Sequence, residues 1–413
     1  MTEKIYYKFI QFALGTYEGK EFLDGSALNG FDWQRFYDFA KKQTLEGIIM
    51  EGISRLPKAV APKQGLLMNW FMMSQNISRQ NMMLNAATAE IYNKVKAAGY
   101  DCCILKGQAN AAMYANPAVR TPGDVDMWVD ASREEIRQLA QTLAKENGRI
   151  DEESYNHIAL TTNNISVELH YTPGFMANFT YNRRLQQWFR ESIDAQCRNM
   201  IALPNEAGEV AAPTADFNAV YQLYHLYHHY FYEGVGLRQV VDYYYVILNF
   251  ELGVLNCRLR DEELKNCELE TQNSKLNNSK SAKPTIQNSK LKTQNSLTRL
   301  GLWHFAGAMM YVLHEVLGLP EEKMIAPMDK KRGEMLLNDI LCGGNFGHHD
   351  ERHAWGRDTY DGNGFKHGAL GHNLLRLHRD LRLLKYYPSE ALSEPVFRLW
   401  HYYWRWKMKK SKP

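Results

Sequence analysis

Leu105 to Asp130 reads LKGQANAAMYANPAVRTPGDVDMWVD, and the interpretation of this stretch decides the fold. Near its end Asp124 and Asp126 flank Val125, and the apolar run Met127, Trp128, Val129 follows. The β-branched and aromatic content of this segment predicts a strand. Side chains along a strand alternate between faces, so Asp124 and Asp126 point the same way. A rise of about 3.3 Å per residue puts them roughly 7 Å apart. Two ionised carboxylates held that close repel each other unless a cation lies between them. Mg²⁺ is a hard ion that takes such oxygen ligands and commonly shares them with substrate phosphates.

A third acid would complete a two-metal cage, and Ser166-Val167-Glu168-Leu169-His170 supplies one. Val167 and Leu169 fall on one face of this predicted strand and Glu168 on the other. Thr161-Thr162-Asn163-Asn164 is turn chemistry. His157–Leu160 and Ile165–Tyr171 therefore read as a hairpin that can lie beside the Asp124–Asp126 strand, with Glu168 facing the two aspartates. His170 shares the Glu168 face; it either orients Glu168, contacts the acceptor, or is an ordinary satisfied polar residue.

The order of these pieces resembles the DNA polymerase β-type nucleotidyltransferase superfamily and, more narrowly, an uncharacterised bacterial nucleotidyltransferase family. That family has a Leu-Lys-Gly turn, a Tyr-x-x-Pro segment, an Arg ahead of Asp-x-Asp, and a Glu/Asp-Leu-His strand. Here these fall on Leu105-Lys106-Gly107, Tyr114 with Pro117, Arg120, Asp124 with Asp126, and Glu168-Leu169-His170. The match is clearest over residues 86–205. It implies an α+β fold: a small mixed sheet with flanking helices, embedded between helical regions at 1–85 and 206–413. It also implies a metal-dependent enzyme that moves NMP from an NTP to a hydroxyl-bearing acceptor and releases pyrophosphate. Asp124, Asp126 and Glu168 would hold two ions, Mg²⁺ or Mn²⁺, and carry the catalysis. Two features depart from the superfamily pattern. Gly107-Gln108 stands where Gly-Ser is usual, and the gap from Gly107 to Asp124 is long. The unusual turn leaves open a second class of function, an inactive NTP-binding sensor or scaffold. Kinase-like phosphoryl transfer with the same metals is a third.

Around this centre, residues 1–85 read as helices: Ile5–Leu14, a helix from Asp32 to about Lys42, and Gly65–Met83. They serve as a cap over the site or as packing scaffold. Ala86–Ala98 is a further helix, stopped by Gly99 ahead of the strand Tyr100–Leu105. Gln108–Tyr114 reads as a helix whose N-terminus, with Lys106 and Gly107, suits phosphate. Lys106, Gly107, Gln108, Arg120 and Arg238 are thus candidates for binding the nucleotide. Arg120 either grips phosphate or braces Asp124 or Asp126. Arg238 either pairs with Asp242 at i, i+4 or points into the cleft. Ser132 and Glu135 form a capping box for a helix to about Asn147.

Composition is that of an ordinary globular protein, 45% apolar and 23% charged. The formal charge of +3 makes no electrostatic case for nucleic acid, although an RNA end remains an open acceptor. Six cysteines show neither zinc nor disulfide-framework spacing, so free thiols in a cytoplasmic protein are expected. Neither a signal peptide nor an apolar run of bilayer length is recognisable. Ala215–Tyr232 reads as an aromatic helix carrying His225, His228 and His229, either packed or metal-pairing. Residues 261–297, where Gln-Asn-Ser recurs, read as a disordered insertion. The glycine- and histidine-rich stretch 342–361 offers His348, His349, Asp350, His353 and Asp358 as metal ligands or as a surface loop. The end, His401 to Pro413, is basic and aromatic, suited to a membrane surface, an anionic polymer, or simply closing a helical domain.

Overall fold

In the computed structural model, which describes residues 2–145, 148–254, 278–349 and 369–410, the predicted Asp-x-Asp strand and hairpin lie side by side. Strands β1 (Cys102–Ile104), β2 (Val125–Val129), β3 (Gly148–Glu153), β4 (His157–Thr162) and β5 (Ile165–His170) form one sheet in the order β1-β2-β5-β4-β3. β2 and β5 run parallel, and the other neighbours are antiparallel. Asn163 and Asn164 both adopt positive φ at the β4–β5 turn, a conformation asparagine tolerates better than most residues. The register sets Asp126 opposite Glu168 and His157 opposite His170. Alternation then divides the sheet. Val125, Met127, Val167, Leu169, Ile158 and Leu160 are buried on one face, and the acids and histidines occupy the other.

The longer helices ahead of the sheet are α1 (Thr2–Leu14), α2 (Trp33–Gln43), α3 (Glu46–Ser54) and α4 (Gln64–Ala97), with a single turn at Lys20–Leu23 between the first two. Asp32 caps α2 by accepting from Arg35 N. Phe9, Phe22, Phe36 and Trp70 are fully buried among these helices. Where the sequence suggests two helical stretches there is one continuous α4, 34 residues long. No Gly or Pro lies between Gly65 and Gly99, so nothing interrupts its hydrogen bonding. The predicted helix after Gly107 shortens to one turn, α5 (Gln108–Ala111). Helix α6 (Arg133–Ala144) starts at the Ser132–Glu135 capping box and packs on β3 and β4.

Beyond the sheet come α7 (Phe179–Arg198), the small hairpin β6 (Met200–Ala202) and β7 (Glu209–Ala211), then α8 (Ala215–Tyr232) and α9 (Leu237–Leu248). Phe189 of α7 and Phe217 of α8 pack on Trp128, so α7 and α8 cover the polar face of the sheet. The chain continues with α10 (Asn278–Arg299), α11 (Trp303–Leu317), α12 (Lys330–Gly343), α13 (Ala369–Leu383) and α14 (Pro388–Lys410). The architecture is α+β, a small mixed sheet between helical segments.

One expectation is corrected here. The polar stretch 261–297 is not wholly without structure, because Asn278 onward forms α10. Its composition is poor in apolar residues, but Ile286, Thr293, Leu297 and Leu300 recur at helical spacing. The last three are buried, and Gln294 Nε2 donates to Ile325 O. Residues 261–277 lie outside the described residues. Among the described residues no helix is long and apolar enough to cross a membrane.

Candidate active site

Each acid is placed by a simple backbone rule. Asp124 and Asp126 are two apart at the start of β2, and Glu168 is the register partner of Asp126 across a parallel pair. One carboxylate oxygen from each lies within 4.8 Å of those of the other two. They open into a cavity of about 340 Å³ between the sheet and α8, which Lys106, Gly107, Arg120, His170 and Arg238 also line. Asp126 is 1% exposed, so its charge requires partners.

Two cations supply them. Lys106 Nζ lies 3.0 Å from Asp126 Oδ1. His170 Nε2 lies 3.2 Å from Asp126 Oδ1 and 3.2 Å from Glu168 Oε2. Burial works against a charged His170, but its hydrogen bonds to Asp126 and Glu168 prevail and raise its pKa to about 9. Burial likewise opposes the ammonium of Lys106, yet Asp126, Asp124 and Glu168 hold its pKa above the lysine value. Glu168 responds in kind: despite burial, His170 and Lys106 lower its pKa to about 2. His157, 3.5 Å from Glu168 Oε1, is pushed down to about 4 by burial and by the charge of His170.

A line of polar contacts continues from Lys106 across the cavity. Its ammonium is 3.1 Å from His225 Nε2, which is 3.0 Å from His229 Nε2, and His229 Nδ1 is 2.7 Å from Glu233 Oε2. His225 and His229 are four apart on one face of α8, and Glu233 follows at its C-terminal end, so all three line the site. Burial, then the charge of Lys106, holds His225 well below the ordinary histidine value. Neutral His225 therefore accepts from Lys106.

Arg120 takes a different partner from either one expected. Its Nε and Nη2 reach Asp242 Oδ1 and Oδ2 at 2.7 and 2.9 Å, and Tyr114 Oη donates to the same carboxylate at 2.6 Å. Asp242 thus pairs across 122 residues with Arg120, not at i, i+4 with Arg238. The bidentate fork tethers α9 to the loop before β2. Arg238, released from that role, lies against Gly123, where an added Cβ would come within 3.0 Å of Nη2. Buried Nε of Arg238 and Nη1 of Arg120 have no hydrogen-bond partner among the described residues. Gly107 sits at φ 63 and ψ −116, and a Cβ there would meet Asp124 O at 3.2 Å.

Gln108, expected as a nucleotide contact, is not among the residues that line the cavity. Its side chain is 2% exposed and turns away from the cavity to the amides of Asn85 and Asn81 on α4. Of the histidine-rich stretch, Asp350, His353 and Asp358 lie outside the described residues. His348 and His349 belong to no metal-binding group found among the described residues, whereas nearby Phe346 lines the cavity.

Sequence comparison agrees with this geometry: the model of an uncharacterised nucleotidyltransferase family matches residues 29–275, more than half of the chain. The chain belongs to that family. No curated protein and no solved structure matches it. The family match begins before α2 and takes in α8 and α9, so it spans both the carboxylates and the helices that close the cavity over them.

Sequence reasoning missed several wall residues. His157 could have been found from its hairpin position opposite His170, and Glu233 from its place four residues after His229. Phe175, which also lines the cavity, sits in an irregular segment with no periodic signal to mark it.

Proposed function

We propose that this protein transfers a nucleoside monophosphate from an NTP to a hydroxyl of an acceptor, with a pair of divalent ions, Mg²⁺ or Mn²⁺, held by Asp124, Asp126 and Glu168. The observation that carries this reading is the meeting of three carboxylates from paired strands in a cavity also lined by Lys106, Arg120 and Arg238. The donor set fits the ions: three hard oxygen ligands converge, and their charge already draws in Lys106 and His170. When bound, such ions neutralise phosphate charge and favour the ionised form of an attacking hydroxyl.

The chain's own groups supply the rest. Arg238 offers its guanidinium to the non-bridging oxygens of the triphosphate, and Lys106 adds a point charge beside it. Gly107 lets the backbone approach the phosphates where a side chain would intrude. In the transfer, a bond forms between the acceptor oxygen and the α-phosphorus. The bond from that phosphorus to the oxygen bridging the β-phosphorus breaks, and pyrophosphate leaves. The acceptor proton leaves to solvent, and the negative charge of ionised Glu168 favours its departure. His170 fixes the orientation of Glu168 and Asp126 together.

The test uses purified protein, Mg²⁺ or Mn²⁺, and each of the four NTPs labelled at the α or the γ phosphorus, with cell extract as the acceptor source. Transfer of α-label that Asp126→Asn abolishes is the expected result. Transfer of γ-label would make the protein a kinase. Metal-dependent NTP binding with neither label transferred would make it a sensor.

A further inference from the structure

We propose that the outward face of the α13–α14 hairpin docks on an anionic lipid surface. Along α14, Leu392, Val396, Leu399, Tyr403 and Trp406 recur at spacings of four, three, four and three. All are more than half exposed, and Leu399 reaches 72%. Leu374, Leu377 and Leu381 make a matching exposed stripe on α13. The opposite sides of both helices are already engaged. Arg379 and Arg382 of α13 bond Phe231 O and Asp339, while Phe397 and Trp404 of α14 pack on Tyr155. Both stripes therefore face away from the protein.

Charge selects the partner. From Ala369 to Pro413 the chain has ten Lys or Arg and three acids, Asp380, Glu390 and Glu394. All three acids are buried, at 5, 2 and 2% exposure, whereas Lys385, Arg405 and Lys407 are exposed. The hairpin thus shows solvent an apolar stripe edged by positive charge, with its own three acids turned inward. A polyanion would satisfy the charge but leave the stripe in water. A second copy of this face would bring like charges together. An anionic bilayer accepts both: leucines enter the headgroup–acyl boundary, Tyr and Trp sit at that boundary, and Lys and Arg meet lipid phosphates. The protein would lie on the bilayer, consistent with the lack of a spanning helix among the described residues. Docking would also bring the cavity near the surface, because its wall residue Phe175 stacks on Phe397 of α14 at 5.1 Å.

The experiment is flotation of the full-length protein with vesicles of phosphatidylcholine alone or mixed with phosphatidylglycerol. Binding is expected only to the mixed vesicles, weakening with salt and falling about tenfold or more in Leu399→Asp. That site is exposed, and a thermal melt identical to the parent's will establish that the variant folds. As an independent readout, brominated lipid should quench tryptophan emission, and less so in Trp406→Phe. Absence of flotation with mixed vesicles would overturn the proposal. So would binding that Leu399→Asp leaves intact, which would indicate a charge-only contact with polyanions. A concentration-dependent dimer abolished by Leu399→Asp, with no flotation, would reassign the face to self-association.

Discussion

Buried carboxylates gather in two places in this protein, and Glu168 in the first shifts in the opposite direction from Glu390 and Asp380 in the second. On the polar face of β2 and β5, Glu168 lies among Lys106, His170 and His157, and its pKa falls to about 2 despite burial. In the C-terminal hairpin, Glu390 has two backbone N–H groups and no cation in contact, and burial lifts it to about 7. Asp380 rises to about 8 by burial and by the neighbouring Glu394, which together outweigh Arg398 at 3.4 Å. Burial is common to both sites. What differs is the nearest neighbour of the shifted carboxyl: Glu168 has His170 3.2 Å away, Glu390 meets no cation, and Asp380 faces a second acid, Glu394. The first arrangement keeps negative charge ready for a cationic ligand; the second keeps protons on carboxyls that serve packing.

Four experiments would break or sharpen that contrast. The largest effect is expected from Asp126→Asn, which removes charge at the centre of the first cluster. Nucleotidyl transfer should fall by ~10³-fold or more while the chain still folds. Unchanged transfer would show that the charge concentrated there has no part in the chemistry. Next, Asp242→Ala would leave buried Arg120 without its carboxylate, and chemical denaturation should report a loss of about 3–5 kcal/mol. A loss below about 1 kcal/mol would mean that the fork on Arg120 is as weak as a surface pair.

The third prediction concerns pH. With its pKa at about 7 against an ordinary 4.5, folded Glu390 keeps a proton that the unfolded chain has released between those values. Stability should therefore fall as pH rises from 4.5 to 7 and change no further on this account above it. Glu390→Gln should flatten that slope, by on the order of 2–3 kcal/mol over the window. An identical slope in the variant would place the titration elsewhere. The smallest effect is expected from His225→Ala. Lys106 keeps Asp126 but loses its second anchor, so turnover should drop about tenfold with little change in melting temperature. No change in turnover would reduce His225 to a wall residue.

The sheet was largely legible because its signals are local. Asp-x-Asp in an apolar strand, two asparagines at a tight turn and a Ser–Glu capping box each act within a few residues, and each appears where expected. Strand β3 was not legible, since Gly-Arg-Ile-Asp-Glu-Glu lacks alternation and is exposed almost throughout. It is a strand only because β4 offers an edge to pair with. Helix α10 was hidden for the converse reason: composition dominated the reading, while a few well-spaced residues, Thr293 and Leu297 among them, sufficed to bury one side. The direction of the Gln108 side chain was not legible either, because a one-turn helix lets neighbouring side chains face quite different surroundings, and here α4 takes the amide.

By itself the sequence determined the α+β class, the family resemblance, the three acids and the lysine–glycine turn, because backbone alternation and turn preferences depend on neighbours along the chain. Only the tertiary structure decided which charges meet. It gave Asp242 to Arg120 across 122 residues, left Arg238 lining the cavity, and laid His225 of α8 against Lys106, with His229 and Glu233 following in line. Those pairings depend on how helices pack over a sheet. The Coulomb energy that fixes each proton depends on distance and burial in space, quantities that residue spacing alone does not contain.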